Sequence, residues 1–136
     1  LSKYYFQDVG LRNALLNFRQ VEETHIMENV IYNELRSRGY SVDVGIVEAR
    51  TALERKLLEV DFVANKGDKR YYIQSAFALP DEEKRQQEMA SLKRINDSFK
   101  KIIIVREDIA PYYNEYGVLI IGLMDFLLGT NVEEVL

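Results

Sequence analysis

Residues 58–79, LEVDFVANKGDKRYYIQSAFAL, decide the fold because they contain two alternating apolar runs separated by a turn. In the first run, over residues 58–64, the period-two pattern predicts a strand with Val60, Phe62 and Ala64 on one face. The sequence Lys-Gly-Asp at residues 66–68 is typical of a tight turn. The second run, over residues 70–79, alternates in the same way, so the segment predicts a hairpin.

The preceding residues predict one long helix, one short helix and a further strand. Residues 23–38 carry apolar side chains every four positions, and Thr24 and Gly39 are typical of the two ends of a helix. Residues 9–16 predict a shorter helix. Residues 40–47 alternate like a strand, with Val42, Val44 and Ile46 on one face.

The residues that follow the hairpin predict a helix crossover and two more strands. Asp81 suits the start of a long helix over residues 81–101, and Phe99 lies on its apolar stripe. Apolar runs at residues 102–105 and 118–121 are typical of buried strands, and Gly129 ends a helical turn. The order of helix, three strands, helix and strand predicts an α/β fold, or α+β in the strict sense, with helices flanking a mixed sheet.

Length and composition predict one domain over residues 1–136, and they exclude several kinds of site. Cys is absent and His25 is the single histidine, which excludes disulfides, thiolate-bound zinc and thiol catalysis. No Gly-rich phosphate loop of the ATP- or NAD-binding type is present, so we expect no nucleotide site in this chain. No apolar run is long enough for a membrane span, and no signal sequence stands at the start. We therefore expect a cytoplasmic chain with no membrane partner.

The net charge of -4 is distributed unevenly along the chain. Residues 102–136 contain six acidic side chains and one basic side chain, Arg106, whereas residues 1–101 are nearly balanced. A strong basic patch of the kind that high-affinity, sequence-independent nucleic-acid binding usually shows is not evident, which weakens that interpretation without excluding it. A local cluster of Lys66, Lys69 and Arg70 is the candidate for phosphate contact, although a charged turn between two strands is the favoured explanation. The tyrosines, among them those at positions 4, 5, 32, 71, 72, 112 and 113, could stack on bases or serve as half-buried packing.

Two acidic residues stand within apolar sequence. Glu28 lies at the edge of the apolar face of the long helix, and Asp61 lies inside Val-Asp-Phe-Val. A buried carboxylate is costly unless it has a partner, a metal or a wet cleft. Convergence of Glu28 and Asp61 could hold Mg²⁺ or Mn²⁺. The alternative is that Asp61 pairs with a nearby cation or accepts backbone hydrogen bonds. His25 has no evident partner.

A helix with Glu28, a strand with Asp61 and a third strand with Gln74 and Ala76 resemble the PD-(D/E)XK nuclease superfamily. The resemblance implies a restriction-endonuclease-like core in which Glu28, Asp61 and the residue at position 74 are catalytic and hold the metal. It also implies that the position of the catalytic lysine is occupied by Ala76. Lys84 and Arg85, early in the next helix, are candidates to replace that lysine, or are solvated helix charges.

A closer resemblance involves one branch of that superfamily. The segments KYYFQDVGLRNALLNFRQ, ENVIYNELRSRGY, LEVDFVANKGDKRYYIQSA and IIGLMDFLLG resemble the C-terminal domain of prokaryotic AAA+-type ATPases of unknown function. This resemblance implies a chain excised from the C-terminal part of a longer ATPase, with the N-terminal ATPase domain as a partner. The apolar sequence at residues 123–128 could dock on the core or on a partner, or drive homo-oligomer formation.

Three functions remain open from the sequence. The first is a degenerate nuclease-like accessory domain that recognises DNA, RNA or a protein partner and regulates the ATPase. The second is an active nuclease that uses Mg²⁺ or Mn²⁺ with Glu28, Asp61 and Gln74. The third is a structural docking module that contacts no nucleic acid.

Overall fold

A computed structural model describes the backbone of residues 9–50 and 53–129, with side chains described from residue 19 onward. These residues form three helices and six strands in the order α1 (Val9–Ser37), β1 (Ser41–Arg50), β2 (Arg55–Lys66), β3 (Lys69–Ala76), α2 (Glu82–Leu92), β4 (Lys100–Val105), β5 (Tyr112–Tyr113), β6 (Leu119–Gly122) and α3 (Leu123–Leu128). The strands make one sheet in the order β1-β2-β3-β4-β6-β5. Strands β1, β2 and β3 are antiparallel to one another, and β4 and β6 continue in parallel with β3. The predicted mixed sheet with flanking helices is therefore confirmed.

The first helix is continuous, whereas the sequence predicted two. Thr24, predicted as an N-cap, lies in the middle of α1, and its hydroxyl donates to the carbonyl of Gln20 at 2.9 Å. That local bond satisfies the hydroxyl without interrupting the helix. Gly39 has a φ of +89° and follows the end of the helix, as predicted. No helix in the described residues is both long enough and apolar enough to cross a membrane.

The second helix is shorter than predicted. Asp81 is its N-cap and accepts from the backbone N–H of Lys84 at 2.9 Å, but α2 ends at Leu92. Residues 100 and 101 already belong to β4, where they pair with β3, and Phe99 is partly exposed just before them. The chain turns directly after Leu92, where the backbone N–H of Arg94 donates to the carbonyl of Ser91, and it then enters β4 beside β3. Tertiary structure here overrides local helix propensity.

A β-bulge interrupts the pairing of β1 with β2. Asp43 lies opposite Val63, and Gly45 lies opposite Val60, so that two residues of β2, Asp61 and Phe62, face one residue of β1. Such a bulge shifts the alternation of side chains along its strand. The prediction that Val60 shares a face with Phe62 and Ala64 is therefore wrong: Val60 packs in a different apolar cluster.

The core consists of two apolar clusters, one on each face of the sheet. The cluster on the α1 side contains Ile31, Leu35 and Phe126, and the cluster on the α2 side contains Met89 and Leu92. Strands β4 and β6 are buried on both faces, which confirms the interpretation of their apolar runs. The predicted apolar face of β1 is an exception, since Val44 and Ile46 are exposed. Strand β1 lies at the edge of the sheet, and of this predicted face only Val42, at the start of the strand, packs against the cluster on the α1 side.

Candidate carboxylate site

Asp61 lies at the bulge of β2 and is held there by its neighbours on β3. Its backbone N–H donates to Oε1 of Gln74 at 2.7 Å, and its Oδ2 accepts from the backbone N–H of Ser75 at 2.8 Å. Burial raises the pKa of Asp61 to about 6, against the opposing effect of the Ser75 hydrogen bond. The charges of three other carboxylates add to this increase in pKa; they belong to Glu28, Glu88 and Glu59.

Glu28, on α1, lies close enough to Asp61 for its charge to act on that carboxyl group. Its side chain is 35% exposed, and Oε2 lies 3.8 Å from Nδ1 of His25, one turn earlier. His25 therefore has a partner that the sequence analysis did not identify. Because the charge of Glu28 raises the pKa of Asp61, the two carboxylates share one electrostatic environment.

Gln74 occupies the position of the third acid of the nuclease pattern, but its amide connects three elements of the fold. Oε1 accepts from Asp61 on β2, and Nε2 donates to Oγ of Ser91 on α2 at 3.2 Å and lies 3.5 Å from the carbonyl of Glu88. Gln74 is buried, as is Ala76 at the position of the lysine. Neither end of the Gln74 amide is directed to open solvent.

Glu88 is the site residue that the sequence analysis missed. Its carboxylate contributes to the environment of Asp61, its side chain is 15% exposed, and Oε1 lies 3.0 Å from Nζ of Lys84. The spacing of Lys84 and Glu88 on one helix, four residues apart, was the available signal. Of the two cations proposed to replace the lysine, Lys84 lies beside this carboxylate, whereas Arg85 is 3.5 Å from Glu82.

A cleft of about 650 Å³ opens next to these carboxylates, between α1 and the start of α2. His25 and Lys84 line it, and they contact Glu28 and Glu88, respectively. Phe77, directly after β3, forms another part of the wall. The cleft thus lies beyond the carboxyl end of β3, where ligand sites of open α/β sheets are commonly found.

The chain segment after β4 contacts both α1 and the segment after β3 at this end of the sheet. Nη1 of Arg106 lies 3.4 Å from Oε2 of Glu23, and the guanidinium lies 5.0 Å from the centroid of the Phe77 ring. The backbone N–H of Arg106 also donates to the carbonyl of Phe77 at 3.3 Å. These contacts fix the wall of the cleft relative to α1.

The residues proposed for phosphate contact lie away from the carboxylates. Lys66, Lys69 and Arg70 surround the turn between β2 and β3, whereas Asp61 pairs near the other end of β3. Nζ of Lys66 donates to the carbonyl of Arg38 at 2.7 Å. The two sets of candidate residues therefore belong to separate surfaces.

The fit of a divalent cation to the carboxylate site is incomplete. Within the described residues, no group of three or more His, Asp or Glu side chains could together hold a metal ion. Glu28 and Asp61 supply two carboxylates, and the oxygen of Gln74 is already used by the backbone of Asp61. Tight sites for Mg²⁺ and Mn²⁺ need more oxygen ligands than this pair provides.

The comparisons with known proteins identify a relative but no function. An uncharacterized protein of Haemophilus influenzae (strain Rd) is 34% identical to this chain over 130 residues, which cover 93% of the chain and 29% of the relative. The chain thus spans less than a third of the length of the curated relative that it matches. No family model matches the sequence, and no solved structure matches it.

Proposed function

We propose that this chain is a degenerate nuclease-like accessory domain, which recognises a nucleic acid or a protein partner and regulates an AAA+-type ATPase. The ATPase parent and the PD-(D/E)XK core follow from the sequence resemblance. The matched relative is more than three times as long as the aligned segment, which is compatible with a multidomain parent.

The hydrogen bonding of Gln74 carries the proposal. In an active site of this type, position 74 would present an acidic oxygen to a metal. Here the amide oxygen accepts from the backbone of Asp61 and the amide nitrogen donates to Ser91, so the side chain stabilises the bulge. The buried methyl group of Ala76 can supply neither a proton nor a positive charge. The resemblance assigns catalytic roles to positions 28, 61, 74 and 76. Positions 74 and 76 thus carry side chains that contribute to the packing and hydrogen bonding of the fold instead.

Recognition requires an accessible surface, and the cleft between α1 and α2 provides one. Among the side chains that line it, Lys84 is basic, and Asp81 and Glu83 are acidic. A ligand that enters the cleft would contact groups of both signs, without a strong field that favours either sign. A cleft of mixed charge suits the recognition of a ligand. It is poorly suited to the strong stabilisation of charge in a transition state.

A cleavage assay tests the proposal. Single-stranded DNA, duplex DNA and RNA are incubated with this chain in 5–10 mM Mn²⁺ (about the range used to saturate weak divalent sites), beside the Asp61→Ala variant as the control. We expect equal, background product from both proteins. Product that forms with the wild type and is absent with Asp61→Ala would overturn the assignment of a degenerate site.

The second candidate function, a slow metal-dependent nuclease, is favoured by one observation. Lys84 lines the cleft, its Nζ lies 3.0 Å from the Glu88 carboxylate, and this amine could replace the missing lysine. Glu28 and Asp61 would hold one Mg²⁺ or Mn²⁺, which would supply an activated water and a Lewis acid. This function predicts that Lys84→Ala abolishes cleavage, whereas Arg85→Ala does not.

A further inference from the structure

Cations and exposed aromatic rings lie together at one end of the strands of the sheet. The amino ends of β3 and β4 lie there, at the opposite end of these strands from Asp61 and the cleft. We call this surface the basic edge and define it by three cations and three aromatic residues: Arg70, Lys93, Lys100, Phe99, Tyr113 and Tyr116.

Each cation of the basic edge lies over one of the rings. The guanidinium of Arg70 is 5.7 Å from the ring centroid of Phe99, and Nζ of Lys100 is 6.0 Å from that of Tyr113. Nζ of Lys93 is 4.6 Å from the ring centroid of Tyr116. These are the distances of cation–π contacts, which fix the charge beside the ring without neutralising it.

The charges of the basic edge are not balanced by acidic partners. Within the described residues, Arg70, Lys93 and Lys100 form no salt bridge, whereas Lys84 and Arg106 at the cleft are each paired with a glutamate. Asp97 also lies at this edge, but its carboxylate accepts from the hydroxyl of Tyr72 and lies 3.5 Å from Nζ of Lys101. The basic edge is therefore positive, although the chain as a whole has a charge of -4.

A groove of about 440 Å³ follows part of the basic edge, between the start of β4 and the turn before β6. Phe99, Tyr113 and Tyr116 line it and are 41%, 59% and 48% exposed. From β3 to β5 the basic edge is about 14 Å wide, at about 4.8 Å between neighbouring strands. That width accommodates about four stacked nucleotides, at about 3.4 Å each.

We propose that the basic edge binds single-stranded nucleic acid, with bases on Phe99, Tyr113 and Tyr116 and phosphates near Arg70, Lys93 and Lys100. Proteins that bind single strands without sequence preference stack the bases on aromatic rings in a positively charged groove. A duplex buries the faces of its bases and could use only the cations. An acidic peptide would likewise leave the rings without partners. The inference goes beyond the proposed function, because it adds a nucleic-acid surface at the opposite end of β3 and β4 from the cleft.

Fluorescence anisotropy with a fluorescein-labelled 15-nucleotide oligo(dT), in EDTA, tests the inference (a length of about four site widths). Phe99→Ala and Tyr113→Ala are each expected to weaken binding about fivefold or more, since one stacked base contributes about 1–3 kcal/mol. Lys100→Ala is expected to reduce the slope of log K against log salt by about 0.7, because one phosphate contact is removed.

Matched variants outside the basic edge serve as controls. Tyr32→Ala removes an exposed ring from α1, and Lys56→Ala removes an exposed lysine near the start of β2. Both are expected to bind the oligonucleotide as the wild type does. Circular dichroism and thermal unfolding of every variant establish that the fold is retained.

Three results would overturn the inference. The first is that the wild type does not bind the oligonucleotide at low salt. The second is that the variants of the basic edge and the controls bind equally well. The third is that a duplex or poly-glutamate displaces oligo(dT) as effectively as unlabelled oligo(dT) does, which would indicate recognition of charge alone.

Discussion

The backbone N–H of Asp61 donates a 2.7 Å hydrogen bond to the side-chain oxygen of Gln74, across the two strands that carry the candidate site. The carboxylate of Asp61 in turn accepts from the backbone N–H of Ser75. Asp61 is thus held through its main chain and its side chain at a bulge, where a strand would otherwise leave backbone groups unpaired. The hydrogen bond that positions Asp61 therefore uses the amide oxygen of Gln74, which could otherwise have been a second ligand to a metal ion.

The first prediction concerns the structural role of Gln74. Gln74→Leu leaves the backbone N–H of Asp61 and the hydroxyl of Ser91 without their side-chain partner. We expect the free energy of unfolding to fall by about 1–3 kcal/mol, as for other buried polar groups that lose a partner. Urea unfolding measures the change. Gln86→Leu, on the exposed side of α2, is the control and should change stability much less.

The second prediction is a pH dependence that arises from Asp61. Its pKa is raised to about 6, so the folded state binds a proton more tightly than the unfolded state does. The ionised carboxylate therefore lowers the free energy of unfolding above pH 6, and this destabilisation declines as the pH falls from 6 towards 4. Asp61→Asn removes the charge and keeps an oxygen that can accept from Ser75.

We therefore expect Asp61→Asn to be more stable than the wild type at pH 8, by about 1–2 kcal/mol after allowance for partial exposure. The difference should become small near pH 4. Denaturant unfolding at several pH values measures it, with Asp43→Asn on the exposed surface of β1 as the control. A stabilisation that does not vary with pH would contradict the assignment of a destabilising charge at Asp61.

The third prediction concerns the glycine beside the bulge. A Cβ added at Gly45 would lie 2.7 Å from Cγ2 of Val63 and 3.1 Å from Cβ of Val60. Gly45→Ala is therefore expected to destabilise the fold by about 1–3 kcal/mol through overpacking. In the double variant with Val63→Ala, the combined cost should be smaller than the sum of the single costs, since the closer clash is removed. Additive costs would show that the two side chains do not compete for this space.

The fourth prediction compares two buried serines. Oγ of Ser91 accepts from Gln74, whereas Oγ of Ser75 has no hydrogen-bond partner among the described residues. Ser91→Ala should lower the free energy of unfolding by about 1 kcal/mol, and Ser75→Ala should be neutral or stabilising. Thermal unfolding of the two variants beside the wild type measures both changes in stability. Equal losses would indicate that Ser75 has a partner in solution.

The sequence predicted most elements of the fold because their signals are local. Alternation, turn residues and the Asp81 cap located β2, β3 and the start of α2. The predicted helix α2 is too long, because its apolar stripe continues through Ile95 and Phe99, which lie in the turn that leads into β4. The bulge was missed since it depends on the register between β1 and β2, which a single strand does not encode.

The residues of the candidate site also divide into those with a local sequence signal and those whose role depends on tertiary packing. Glu28 and Asp61 were found because an acidic residue in apolar sequence is conspicuous, and the structure places them in one environment. Glu88 was missed because it lies among other charged residues of α2, and its proximity to Asp61 arises from packing. The role of Gln74 in connecting β2 to α2 was likewise not visible in the sequence, since its partners are 13 and 17 residues away.

The most informative measurement is calorimetric titration of Mn²⁺ and Mg²⁺ into the wild type, with Asp61→Ala as the control. If the amide of Gln74 serves the fold and the site is degenerate, the wild type should show no saturable binding tighter than about 1 mM, the weak end of protein-bound divalent cations. Micromolar binding to the wild type that Asp61→Ala abolishes would contradict this. It would instead establish an intact metal site on Glu28 and Asp61.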